Sequence, residues 1–299
     1  MDRRTFLQRA VAAGLWPLAT IAGCGGADRR GRPDPTDPPL DDVLAAGART
    51  MWVAAHPDDE CFPGGLLARA SIHYRNPLAF VVMTHGDGGE CGLPDGCEPD
   101  LATVRGREMA QVARMYRARL YHHRYWNAPL PVSSFPPRRE ILARWRAQGD
   151  PLRDIVTAIR DFRPDLLVTF DPYVGATGHP EHQLTARLAV LAVRQAADPT
   201  FETPGLSPHR VARTILQQNR FWVFRLGGGG DPGPVTHTFD ASLPAVPGLS
   251  CAHFMAEATR LHRTQENDMG MVRRVVSAGF LTLYFRRVDP WRDFFDPDE

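Results

Sequence analysis

The sequence predicts an α/β fold: a Rossmann-like, mostly parallel sheet flanked by helices, in a single domain. Three observations predict it. After residue 41, short apolar runs alternate with amphipathic segments, the pattern of parallel strands covered by helices. An imidazole and three carboxylates, His56, Asp58, Asp59 and Glu60, stand where the first apolar run stops. A second polar cluster, His179-Pro180-Glu181-His182, follows a later run. The carboxyl ends of strands are where open α/β sheets build their sites.

In chain order, residues 50–55 form the first strand and 64–73 the helix after it. Residues 78–84, Leu-Ala-Phe-Val-Val-Met-Thr, form the second strand. The next helix spans 99–116, with apolar positions Leu101, Val104, Met109, Val112 and Met115. The third strand, 119–125, alternates in character. Residues 151–162 form a further helix, and 166–170 a β-branched and aromatic fourth strand. A Gly- and Pro-bearing loop, 171–178, leads to Pro180 at a first helical position and an apolar helix over 183–197. Late strands at 221–226 and 235–239 flank the glycine run 227–230, and one long helix spans 252–276.

The chain has 299 residues, enough for one substantial core. Its first residues read as an address rather than as fold. Asp2-Arg3-Arg4-Thr5-Phe6-Leu7 resembles a twin-arginine export signal, and the apolar segment 10–22 is too short for a stable membrane anchor. Ile21-Ala22-Gly23-Cys24 has the form of a lipobox, which makes Cys24 the expected lipidation site. The expected organisation is a signal peptide over 1–23, a flexible tether over 24–46 rich in Gly, Pro, Asp and Arg, and a folded domain over 47–299.

Composition removes several chemistries. All 35 basic residues are arginine, so a Schiff-base lysine, a P-loop lysine and a Ser/Lys dyad are excluded. The net charge of +1 does not suit a nucleic-acid partner, whose phosphates call for a strongly basic surface. Cys91 and Cys97 enclose a five-residue Gly-Leu-Pro-Asp-Gly loop. In an oxidising compartment they can join as a local disulfide; the alternative is two unpaired thiols. Cys61 and Cys251 read as buried thiols.

His56 is a borderline nitrogen ligand and Asp59 a hard oxygen ligand, a pair suited to zinc with other divalent ions possible. Asp58 between them stays free for proton transfer. His179 and His182, three residues apart at a helix start, can face the same cleft. His56, Asp59 and one of these two histidines leave a fourth position for water, as in a hydrolytic zinc centre. Taken alone, a His-x-x-His pair is more often a surface or capping feature than a metal site. Asp58 is equally suited to capping a helix. His122 and His123, on an alternating strand, read as structural.

Ala55-His56-Pro57-Asp58-Asp59-Glu60, followed by Gly178-His179-Pro180-Glu181-His182, resembles the PIG-L/LmbE-like zinc-dependent N-deacetylases. The resemblance extends over roughly residues 47–270. Supporting it are the Gly/acidic loop 84–90, Arg105-Gly106-Arg107-Glu108, Arg163-Pro164-Asp165 before an apolar strand ending in Asp171-Pro172, and His262-Arg263-Thr264-Gln265. It implies zinc on His56, Asp59 and His182, Asp58 as general base, and His179, if protonated, as stabiliser of the oxyanion. It also implies substrate contacts from Arg105, Asp87 and Thr177, and support of the site by Glu60 and His262. Some members carry a tyrosine where this chain has Thr177; either Tyr173 in the same loop replaces it or His179 polarises the carbonyl with less help.

The expected function is zinc-dependent removal of acetyl from an N-acetylated amino sugar or glycoconjugate by an exported protein, anchored at the cell envelope by lipid on Cys24. Trp126, Tyr173 and Trp222 are candidates to stack on a sugar, or else core. The alternatives are an amidase acting on a non-sugar amide or thiol conjugate, and a non-catalytic carbohydrate-binding lipoprotein.

Overall fold

The computed structural model describes residues 37–220 and 233–299. The expected signal peptide, Cys24, the strand over 221–226 with Trp222, and the glycine run 227–230 lie outside these residues. The described residues group as one compact unit.

Seven strands form the main sheet: β1 (Thr50–Ala54), β2 (Leu78–Thr84), β3 (Ala118–Tyr125), β4 (Leu166–Phe170), β5 (Arg213–Gln218), β6 (His237–Asp240) and β9 (Thr282–Val288). Their order is β3-β2-β1-β4-β5-β9-β6. The first five run parallel, and β9 pairs antiparallel with both β5 and β6. Strands β1, β2 and β4 are buried at every residue, because helices cover both faces. Alternation divides their side chains between two cores. Trp52, Phe80, Val82 and Phe170 enter one, and Met51, Val53, Ala79, Val81 and Leu167 enter the other.

The helices are α1 (Leu40–Ala45), α2 (Gly64–Ala68), α3 (Leu101–Met115), α4 (Arg138–Gln148), α5 (Pro151–Phe162), α6 (Gly175–Gly178), α7 (Pro180–Ala197), α8 (Cys251–Ala258) and α9 (Glu266–Ser277). Side chains fix several starts. Asp100 caps α3 by accepting from Thr103 N at 2.7 Å, and Asp150 caps α5 by accepting from Arg153 N at 3.0 Å. A small hairpin of β7 (Pro244–Val246) and β8 (Leu249–Ser250) leads into α8.

Two expectations are corrected. The long helix over 252–276 is two helices, broken by 3₁₀ turns over Thr259–Leu261 and Arg263–Gln265. The tether over 24–46 does not extend to residue 46, because α1 packs on the domain. Its Leu40 and Leu44, one helical turn apart, are 1% and 0% exposed, and Asp41 accepts two bonds from Arg69. Just before it, Asp37 forms ion pairs with Arg213 and Arg287 and lies 3.1 Å from His237 Nε2. An i, i+4 leucine pair in an acidic, proline-rich stretch is a single helical turn of signal, and folding buries it.

The strand order reverses direction between β1 and β4, which are neighbours in the sheet but separated by β2 and β3 in sequence. A crevice opens outside their carboxyl ends at such a switch point. Both polar clusters singled out in the sequence lie there.

Candidate metal centre

Beyond β1 the chain turns sharply, and the carboxylate of Asp59 holds the turn. Its Oδ2 accepts from Ala55 N at 3.0 Å and His56 N at 2.8 Å. Asp58 sits in the left-handed region at φ 93°, a conformation that costs a non-glycine residue about 1–3 kcal/mol. Arg105 on α3 opposes that cost by donating to Pro57 O at 2.7 Å and to Asp58 Oδ2 at 2.9 Å.

Beyond β4 a second turn, α6, leads to His179, the N-cap of α7, and then to Pro180 at the first helical position. Gly175 has φ 57°, and a Cβ there would stand 2.9 Å from the His182 Cβ. Only glycine lets the turn come this close. The approach brings Gly175 O to 2.8 Å from His182 Nδ1.

These turns bring together three candidate ligand atoms. His56 Nδ1 lies 3.0 Å from His182 Nε2, and Asp59 Oδ1 lies 3.0 Å from the same Nε2. The other nitrogen of each ring fixes its tautomer. His182 Nδ1–H donates to Gly175 O, with Thr177 Oγ1 at 3.2 Å, so its Nε2 presents a lone pair. His56 Nε2–H donates to Glu181 Oε2 at 2.5 Å, so Nδ1 is the nitrogen that presents a lone pair when the ring is neutral. Two ring nitrogens facing each other at 3.0 Å beside a carboxylate can share a proton or, once both are deprotonated, present their lone pairs to a metal cation. Two nitrogens and one oxygen with an open fourth position are the donor set of a hydrolytic zinc site, so the residues present fit such an ion.

Without an ion, the surrounding carboxylates favour a proton on His56 in the place a metal cation would take. Burial works against the His56 imidazolium, but the carboxylates of Asp59 and Glu181 outweigh it and raise its pKa to about 10. Burial likewise opposes ionisation of Asp59, and His182 and His56 overcome it, holding the carboxyl well below the ordinary range. Asp58 goes the other way. Burial raises it, Arg105 pulls it down and Asp59 adds to the rise, leaving it near about 6.

Glu181 is the residue that the sequence reading left without a role. It is fully buried and also accepts from Asn127 Nδ2 at 2.6 Å and Ala128 N at 2.7 Å. His56, His179 and Glu181 form a second cluster with mutually close ligand atoms. Three donors already occupy the carboxylate, so Glu181 is suited to hold His56 rather than a metal.

His179 is half-buried beside the candidate ligands, with ring centroids 4.7 Å from His56 and 5.1 Å from His182. Its Nδ1 accepts from Glu181 N at 3.2 Å, so that nitrogen carries no proton and Nε2 carries it. In this arrangement the ring is an N–H donor through Nε2.

Other expected residues fall elsewhere. Arg105 is 4% exposed, and its guanidinium is turned to Pro57 O, Asp58 Oδ2 and Gly86 O. An arginine-rich helix gives no sign in sequence of which arginine is buried. Thr177 turns toward His182 and the His179 amide. Asp87 is exposed on the loop after β2. Glu60 and His262, both buried, pair with each other at 2.8 Å. Cys91 and Cys97 are joined, and their loop is held by Gly92 N donating to Thr264 O at 2.9 Å and Gln265 Nε2 donating to Glu90 O at 2.9 Å. Tyr173 rests against Phe295, and Trp126 lies under Arg144.

Residues 51–193 match the family model described as GlcNAc-PI de-N-acetylase, PIG-L. A 1D-myo-inositol 2-acetamido-2-deoxy-α-D-glucopyranoside deacetylase from Thermobispora bispora is 31% identical over 273 aligned residues, covering 80% of this chain and 88% of that protein. Against other curated relatives carrying that name, the match spans about half of their length. Among solved structures, the N,N'-diacetylchitobiose deacetylase of Pyrococcus horikoshii superposes with TM-score 0.58 at 20% identity, covering 84% of this chain and 88% of that one. The 4-carboxy-2-hydroxymuconate hydratase of Pseudomonas putida superposes with TM-score 0.56 at 15% identity, covering 83% and 99%. Likeness at this level establishes the fold, and the fold carries both a deacetylase and a hydratase.

Proposed function

Because the chain belongs to the PIG-L family, we propose that it hydrolyses the acetamide of an N-acetylated amino sugar or glycoconjugate with a divalent metal, zinc above others, held by His56, Asp59 and His182. One observation carries this reading. His182 Nε2 lies 3.0 Å from both His56 Nδ1 and Asp59 Oδ1, and a further carboxylate, Asp58, next to Asp59 in the chain, is held outside that set by Arg105. A non-catalytic binding module has no need for that additional base.

A cation bound there would supply Lewis acidity toward water and the acyl oxygen. The protein's own groups do the rest. Asp58, its pKa raised by burial to about 6, takes a proton from the attacking water and later delivers it to the departing amine. Arg105 keeps that carboxylate aimed. His179 Nε2–H donates to the oxyanion as the carbonyl becomes tetrahedral, a contribution of about 3 kcal/mol in comparable sites. Glu181 and Gly175 O keep the two candidate ligand rings in register.

Location is part of the proposal. The twin-arginine start and the lipobox support export with a lipid on Cys24, and the Cys91–Cys97 disulfide suits an oxidising compartment. Among the described residues no helix is long and apolar enough to cross a membrane. A mass measurement of the mature N-terminus tests this, and an unacylated Cys24 would end it.

Acetate release from a panel of N-acetylated sugars and non-sugar amides tests the reaction, with Asp58→Asn and a chelated sample as controls. The expected result is release from sugar amides that is lost in both controls. Release confined to non-sugar amides would move the substrate class. A metal-loaded protein whose rate ignores Asp58→Asn would remove the base.

A further inference from the structure

We propose that Phe135 sets the length of the acyl group the site accepts, restricting it to acetyl. The inference rests on the deacetylase reading above. In that reading the carbonyl oxygen lies between the candidate metal and His179 Nε2–H, so the acyl carbon sits beside the His179 ring and its substituent must run along that ring. Apolar surface is already there. The Phe135 ring packs on His179 with centroids 4.4 Å apart, and Phe135 is itself half-buried. A methyl fits beside such a wall, whereas a longer chain would have to displace it.

The wall is built not to move. Phe135 precedes Pro136, which restricts its backbone, and it holds φ −63° and ψ 125° after a 3₁₀ turn over Val132–Ser134. Within that turn Ser134 Oγ donates to Pro131 O at 2.8 Å. Both ends of the segment are tied to the site. Asn127 and Ala128 donate to Glu181, and Leu130 N donates to Gly88 O at 2.9 Å. Gly88 approaches so closely that a Cβ would stand 2.3 Å from Ala128 O. Beyond it, Arg138 Nη1 donates to Gln183 Oε1 at 2.5 Å, one residue past His182. A chain fixed at both ends, stiffened by prolines and carrying one aromatic against the expected oxyanion donor is a preorganised boundary.

The test is a chain-length series, N-acetyl, N-propionyl, N-butyryl and N-hexanoyl glucosamine, with zinc-loaded wild type, Phe135→Ala and Phe135→Leu. Wild type is expected to favour acetyl. Phe135→Ala is expected to raise the butyryl-to-acetyl ratio of kcat/KM at least tenfold, since each methylene in an apolar pocket is worth about 10-fold or more. Phe135→Leu should fall between the two and guards against misfolding of the smaller variant. A ratio unchanged in both folded variants overturns the inference. So does an equal fall of kcat at every length, which would make Phe135 a positioning residue for His179. Wild type that binds zinc but cleaves none of the series refutes the deacetylase reading itself, and this inference with it.

Discussion

Glu181 Oε2 lies 2.5 Å from His56 Nε2, and that contact determines which nitrogen of His56 faces His182. Removing its charge should loosen the candidate ligand. Glu181→Gln is expected to raise the zinc dissociation constant about 10–100-fold. Competition against a fluorescent chelator measures it, with circular dichroism to confirm the fold. Unchanged affinity would show that the His56 tautomer is set by something else.

Arg105 is buried against Asp58, so its loss should affect rate and stability and leave substrate affinity nearly alone. Arg105→Met is expected to cost about 3 kcal/mol in chemical denaturation, the scale for breaking a buried ion pair. It should lower kcat more than tenfold while KM stays within about threefold. A raised KM at constant kcat would return Arg105 to the substrate.

The pH dependence of stability should carry a signature of His122. Burial, with the stacked His85 adding to it, lowers its pKa to about 4, and Nε2 donates to Thr84 O. The native state therefore binds fewer protons here than the unfolded chain, whose histidine titrates near about 6.5. Stability is intact above that pH and is lost as pH falls toward about 4. Melting temperatures from pH 7.5 to 4.5 should fall less steeply in His122→Gln than in wild type. Parallel slopes would assign the acid sensitivity to other groups.

Leu44 fixes where the domain starts. It is fully buried in α1, and Leu44→Ala is expected to cost about 2–5 kcal/mol by urea titration. A change under about 0.5 kcal/mol would restore the tether reading for residues 37–46.

What could be read from the sequence followed chemical type and position. His56, Asp59 and His182 stood out because metal-ligand side chains at strand ends have few other reasons to gather, and β1, β2 and β4 because buried parallel strands are continuously apolar. Long-range pairing left no such mark. Nothing near Glu181 points to Asn127 and Ala128, more than fifty residues away, and nothing in residues 282–288 says that β9 inserts between β5 and β6 in the opposite direction. Burial was equally hidden. Arg105 and Leu40 sit in segments whose composition is that of surface, and only the packed structure shows them enclosed.

The switch point also has a kinetic meaning. His56 and His182 are 126 residues apart, and they meet where Thr50–Trp52 of β1 pair with Leu166–Val168 of β4, with β2 and β3 intervening in sequence. Contacts so distant in sequence are slow to close. Tight zinc capture by a refolding chain would therefore act as a clock hand, registering the moment at which its two halves come together.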